Sequence, residues 1–184
     1  MVLAIDVDDT ICNLQEAVVN IFNKRYGTHY TVEDFTDFDV TNVLPDDEAM
    51  NFIEIYGESG LYKTVKPMSG AQSALKKLVN AGHDVYLVTN AIPKTYGEKV
   101  EFVKKYFPYI DASHIVCMKN KWMFRADVMV DDCMQNLLAK PYYHRVLINK
   151  PWNYSNVDYA YGIYRCYNWN DVLEAINKIS ELEE

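Results

Sequence analysis

Asp6 and Asp8 stand two residues apart, where the apolar run Val2-Leu3-Ala4-Ile5 gives way to Asp6-Val7-Asp8-Asp9-Thr10. Carboxylates at the mouth of a buried strand are costly unless something cationic meets them. Two later apolar runs end in polar groups as well. Val85–Val88 runs into Thr89-Asn90, and Val128–Val130 runs into Asp131-Asp132. Lys121 lies in the loop before that last run, with Lys119 as its rival. Two carboxylates about 4 Å apart repel by about 4 kcal/mol at an effective dielectric near 20. Three or four of them cannot all stay ionised against a single lysine. A divalent cation such as Mg²⁺, which prefers hard oxygen ligands and several waters, removes the repulsion. It would also neutralise and hold the oxygens of a phosphate.

Phosphoryl-transfer chemistry gives each residue a role. Asp6 can attack phosphorus and form an aspartyl-phosphate, which splits one hard step into two. Asp8 points the same way along an extended chain. It can protonate the leaving oxygen and later deprotonate a water. Thr89, the Asn90 backbone and Lys121 can stabilise the phosphate oxygens. Asp131-Asp132 read either as part of this site or as a helix N-cap pair. An EF-hand reading of Asp6-Val7-Asp8 fails, because a strand precedes it and the required glycine and terminal glutamate are missing. His29, His83, His114 and His144 show no partner spacing.

Elements must bring these groups together. The spacing predicts a helix over Leu14–Tyr26 stopped by Gly27, and a short helix opened by Pro45-Asp46-Asp47 and running through Ile55. A third helix is expected from Gly70 to Asn80, capped by Ser69 and stopped by Gly82. A fourth is expected over Tyr96–Tyr106, before Pro108. Short strands are expected at Ile115–Met118, Arg145–Ile148 and Ile163–Cys166 beside the three already named, and a last helix at Asp171–Leu182 behind Asn170. Alternating strands and helices imply an α/β fold, a doubly wound parallel sheet of Rossmann-like type. In such sheets ligands sit outside the carboxyl ends of the strands, at the switch in strand order. Residues 1–13 and 66–184 are expected to form this core. Residues 14–65, with no strong strand signal, are expected to form a small helical cap subdomain inserted after the first strand.

Bulk properties narrow the partners. The 184 residues are 49% hydrophobic and 24% charged, which suits one domain with a small insertion. A net charge of -8 argues against binding a nucleic acid polymer through its phosphates. Cys12, Cys117, Cys133 and Cys166 form no CxxC pair and no zinc spacing, and read as reduced thiols. Asp6 interrupts the first apolar run, so no leader peptide is expected, and no stretch has the roughly 20 apolar residues of a membrane span. A cytoplasmic protein with no membrane partner follows as the expectation.

The quoted residues resemble a known superfamily. Asp6-Val7-Asp8-Asp9-Thr10 is similar to the D-x-D-x-T signature of the haloacid dehalogenase-like phosphatases, and Thr89, Lys121 and Asp131-Asp132 to its other three motifs, in order. Tyr56–Tyr62, Lys66–Ala71, Tyr96–Lys99 and Lys121–Asp132 resemble more narrowly the 5'(3')-deoxyribonucleotidases. The resemblance implies Mg²⁺ held by the Asp6 carboxylate, the Asp8 backbone carbonyl and one of the paired aspartates. Position by position it favours Asp132 as that ligand, with Asp131 orienting Lys121, and Lys121 over Lys119. It implies a nucleoside monophosphate as substrate, and at family level a homodimer. Phe35 and Tyr56 fall near the family's aromatic base pocket, where they either stack on a base or pack the core of the cap. Leu14 stands where an aromatic is usual, and Asp9 where a glycine is usual. Two rival readings are a phosphatase of another small metabolite, such as a sugar phosphate, and a receiver-type phosphoacceptor module. The receiver has its acid pair first and a single phosphoacceptor later, which is the reverse of the order here.

Overall fold

The structure, a computed structural model, describes residues 1–139, 142–154 and 161–183. Among the described residues, six parallel strands form one sheet: β1 (Val2–Ile5), β2 (Asp84–Thr89), β3 (Ile115–Cys117), β4 (Val128–Asp131), β5 (His144–Ile148) and β6 (Ile163–Cys166). Their order is β3-β2-β1-β4-β5-β6. From β1 the chain builds outward through β2 to β3, then returns to the other flank of β1 with β4. β1 is therefore the switch point. Ile5 lies in register with Leu87 on one side and Val130 on the other, so the chain leaves all three strands at one edge.

Both sides of the sheet are covered, which is why its strands are nearly continuous apolar runs. Leu3 and Ile5 join the larger buried cluster. That cluster also takes residues of the helices α1 (Leu14–Tyr26), α3 (Ala71–Asn80) and α6 (Trp169–Glu183). Ala4 joins a second cluster with Met129, Leu137, Tyr143 and Leu147. This alternation follows from the two-residue period of a strand.

Among the described residues, 14–65 contains helices and 3₁₀ turns but no strand: α1, then turns at Val32–Asp34 and Val40–Asn42, α2 (Asp46–Ile55), and a turn at Leu61–Lys63. Its two ends meet. Asn13 N donates to Lys66 O, Met68 N donates to Ile11 O, and Cys12 bridges Pro67 antiparallel. Gly27 ends α1 in the left-handed region at φ 71°.

Several boundaries differ from the sequence expectation. Helix α4 covers Pro93–Tyr106 and starts three residues early, because a proline at the first helical position is preset for the helix. Ser69 caps nothing; Gly70 holds the N-cap of α3 at φ 82°. Asn168, rather than Asn170, accepts from the amides of Asn170 and Asp171 at the start of α6. A five-residue helix α5 (Met134–Leu138) follows β4 and has too few residues to show periodicity.

Candidate active site

The three strand ends meet around two buried lysines. Lys121 is 5% exposed. Its Nζ lies 2.6 Å from Asp6 Oδ1 and 2.8 Å from Asp131 Oδ2. Asp131 is fully engaged, since it also accepts from Cys133 N and Asn136 Nδ2. Asp132 Oδ2 accepts from Trp152 Nε1 at 2.8 Å, and its carbonyl accepts from Asn153 Nδ2. Lys119 lines the same cavity. Of the two lysines, Lys121 is the one in contact with the acids.

Asp6, Asp131 and Asp132 each offer an oxygen within 4.8 Å of the others, and all three residues are buried. Three clustered carboxylate oxygens are the donor set of a hard divalent cation. The electrostatics point the same way. Burial pushes the Asp6 carboxyl up from its ordinary 3.8 to about 7, reinforced by Asp131 and Asp8, even though Lys121 pulls it down. Burial likewise pushes Asp132 well above the usual range, with Asp131, Asp6 and Asp9 adding to it. Burial opposes the charge on Lys121, yet Asp131 and Asp6 outweigh it and hold the ammonium. The cluster thus holds more negative charge than its one lysine offsets, and a cation would fit it.

Asp8 lies beyond this triad. Its Oδ2 is 2.6 Å from Lys99 Nζ, and its Oδ1 accepts from Tyr62 Oη at 2.6 Å. Thr89 is fully buried at the end of β2, where Lys99 donates to its hydroxyl. Asn90 lines the cavity. Asp9 takes a left-handed backbone, φ 49°, which explains why a glycine suits this position. Its carboxylate accepts from Gln15 N at the start of α1. Burial raises it to about 7.

The cavity measures about 650 Å³. Its floor is polar, with Asp6, Asp8, Lys121 and Asp132. Residues 14–65 contribute apolar lining, with Leu14, Phe38, Val40, Ile53 and Tyr56, alongside the polar Gln15, Asp37 and Asp39. Tyr56 donates to Gln15 Oε1, and both residues line the cavity. Phe35 does not line the cavity. It is 1% exposed and stacks on Phe52 at 4.8 Å, so of the two roles open to it the structure shows packing. The aromatic that faces the cavity nearby is Phe38, three residues on and 54% exposed.

Sequence reading alone assigns no role to Lys99, Tyr62 or Trp152. A signal exists for Lys99. Thr95, Lys99, Phe102 and Val103 are the buried positions of α4, so this lysine shares the helix's inward face.

Known proteins share this architecture. A conserved haloacid dehalogenase-like protein of Agrobacterium tumefaciens superposes with a TM-score of 0.65 at 13% identity, covering 97% of this chain and 98% of that one. A haloacid dehalogenase-like family protein of Streptococcus pneumoniae gives 0.63 at 12% identity, covering 95% and 97%. Among sequence relatives, the 5'(3')-deoxyribonucleotidase of Bacillus subtilis (strain 168) is 26% identical over 173 residues, 93% of this chain and 95% of that protein. A Staphylococcus epidermidis protein is 27% identical over 183 residues, 97% of each. Residues 1–181 match the profile of the family described as 5' nucleotidase, deoxy (pyrimidine), cytosolic type C protein. The chain therefore belongs to that family of nucleotidases, and its fold is that of the haloacid dehalogenase-like proteins it superposes on.

Proposed function

We propose that the protein is a Mg²⁺-dependent phosphatase of deoxyribonucleoside monophosphates working in the cytoplasm, with residues 14–65 as a cap over the site. The observation that carries the reading is the buried acid triad with Lys121 bonded to two of its members, of which Asp6 and Asp132 line a cavity that is also lined by apolar residues of 14–65. Such a cavity suits a ligand with one charged end and one aromatic end. The Bacillus subtilis relative is itself named for 5'(3')-deoxyribonucleotides. The four cysteines are free thiols, in keeping with a reducing compartment.

The proposed chemistry runs in two halves. An Asp6 carboxylate oxygen attacks phosphorus and the bond to the ester oxygen breaks. Asp8 gives its proton to that oxygen, and the nucleoside leaves. A water then attacks the phosphorus of the aspartyl-phosphate while Asp8 takes one of its protons. The Asp6–phosphorus bond breaks, and inorganic phosphate departs. Thr89, the Asn90 amide and Lys121 are proposed to hold the phosphate oxygens. Asp131, already bonded to Lys121, keeps that ammonium aimed at Asp6. A bound Mg²⁺ would be held by the Asp6 carboxylate, the Asp8 carbonyl and Asp132, and would supply charge neutralisation at the phosphate. Asp132 suits the ligand role better than Asp131, because Asp131 has donors on both oxygens whereas Asp132 has one on Oδ2.

Purified protein assayed against dUMP, dTMP, ribonucleotides and sugar phosphates tests the reading. Phosphate release should be fastest with the deoxyribonucleotides, cease with EDTA and return with Mg²⁺. Asp6→Asn should remain folded and release no phosphate; full activity in that variant would sink the mechanism. A preference for sugar phosphates would leave the chemistry standing and overturn the substrate.

A further inference from the structure

We infer that Lys99 is a positioning residue for this site: with Tyr62 it clamps the Asp8 carboxylate and the end of β2. The inference rests on the proposed role of Asp8 as the group that gives and takes protons.

An ammonium has three N–H donors and no acceptor. Lys99 uses all three. Its Nζ lies 2.6 Å from Asp8 Oδ2, 2.8 Å from Thr89 Oγ1 and 2.6 Å from the carbonyl of Asn90. The side chain is 1% exposed and is absent from the residues lining the cavity. It has no donor left for a phosphate oxygen, so a direct contact with substrate would cost it one of these bonds. Lys121 differs, because it faces the cavity itself.

The second arm is Tyr62. Its hydroxyl donates to Asp8 Oδ1 at 2.6 Å, and its ring lies beneath the ammonium, 5.5 Å from Nζ to the ring centre. Both Asp8 oxygens thus meet donors from different elements, α4 and the turn Leu61–Lys63. One rotamer of Asp8 satisfies both. The preceding residue of α4 fixes the turn: Glu98 accepts from Gly60 N at 2.6 Å and from Tyr62 N at 3.4 Å. Glu98 and Lys99 therefore tie the returning end of the 14–65 segment, the proton-transfer group and the β2 terminus into one unit. A misplacement of about 1 Å at a reacting group can cost on the order of 10²-fold in rate, which is the scale of effect such a clamp governs.

The test separates positioning from phosphate binding and from plain structural support. Lys99→Met keeps the length of the side chain and removes its donors. Tyr62→Phe removes only the hydroxyl. Each is assayed with a deoxynucleoside monophosphate and with p-nitrophenyl phosphate, whose leaving group departs without a proton. kcat/KM reports the steps up to loss of the leaving group. For Lys99→Met it should fall about 10²-fold with the nucleotide and at least about tenfold less with p-nitrophenyl phosphate. Tyr62→Phe should show the same asymmetry at smaller size. Inhibition by inorganic phosphate should stay within about threefold of wild type in Tyr62→Phe, which leaves Thr89 and Asn90 held, and should weaken in Lys99→Met, which frees both. Equal losses with the two esters, or loss of phosphate inhibition in Tyr62→Phe, would overturn the inference. If Lys99→Met fails to fold, Tyr62→Phe decides on the same criteria. A wild-type protein inactive on nucleotides would refute the parent reading instead, and that outcome is visible before any variant is made.

Discussion

Lys121 sits between two buried carboxylates, and its removal would leave both without their cation. Lys121→Met should cost about 3–5 kcal/mol of stability, the scale for breaking a buried pair by deleting one partner. Urea denaturation of the metal-free protein measures it; a change below about 1 kcal/mol would mean that the acids are relieved in another way. Most of the site is legible in the sequence, because Asp6, Asp8, Asp131 and Asp132 are acids at the ends of apolar strands, where chance seldom puts them. Lys99 is less legible. Among Lys94, Lys104 and Lys105 it reads as one more solvated helix charge, and only its place on the buried face of α4 marks it. Phe35 misleads for a related reason. Aromatics alternate with acids over Glu33–Asp39, and composition cannot say which of them turns inward. Packing against Phe52 takes Phe35 and leaves Phe38 at the cavity.

Among the elements, α3 depends on one backbone position. Gly70 opens it at φ 82°, and a Cβ there would meet Trp169 Cβ at 3.3 Å. Gly70→Ala should lose about 1–2 kcal/mol from the left-handed backbone alone. The contact with Trp169 adds to this, because Trp169 is 1% exposed and donates its Nε1 to the Thr10 carbonyl at 3.1 Å. Thermal unfolding would show the loss, and an unchanged Tm would mean the turn can rearrange at no cost. The strands and the longer helices are legible from periodicity, α1 among them, since apolar spacing and Gly27 define both its ends. Helix α5 is not legible. Five residues hold little more than one turn, and what fixes it is tertiary: Asn136 donates to Asp131 and Leu137 fills the smaller core cluster.

Across the whole molecule, the crowded acids make stability depend on pH in a definite direction. Asp6 and Asp9 are raised from an ordinary 3.8 to about 7 in the fold, and burial also holds Asp132 well above that ordinary value. Between those values the folded state binds more protons than the unfolded chain, so the contribution of these groups falls as pH rises from about 4 through 7. Metal-free protein should therefore lose Tm between about pH 5 and pH 8. Added Mg²⁺ should raise Tm more at pH 8 than at pH 5, because it relieves the ionised cluster. Differential scanning calorimetry with EDTA and with Mg²⁺ would check both; a metal-free Tm that climbs over this interval would contradict the raised carboxyls. No helix among the described residues is long and apolar enough to cross a membrane.

The strand that carries Asp6 is central in the sheet but precedes both of its neighbours in the chain: β2 begins at Asp84 and β4 at Val128. On the ribosome, Val2–Ile5 must wait for roughly half of the protein to be made before its first edge is covered, and for more than two-thirds before the second is. A nascent chain stalled before Val128 would present a bare apolar ribbon able to pair with any other exposed strand. Chaperone demand during synthesis should accordingly peak late, and shortened products should clump rather than fold.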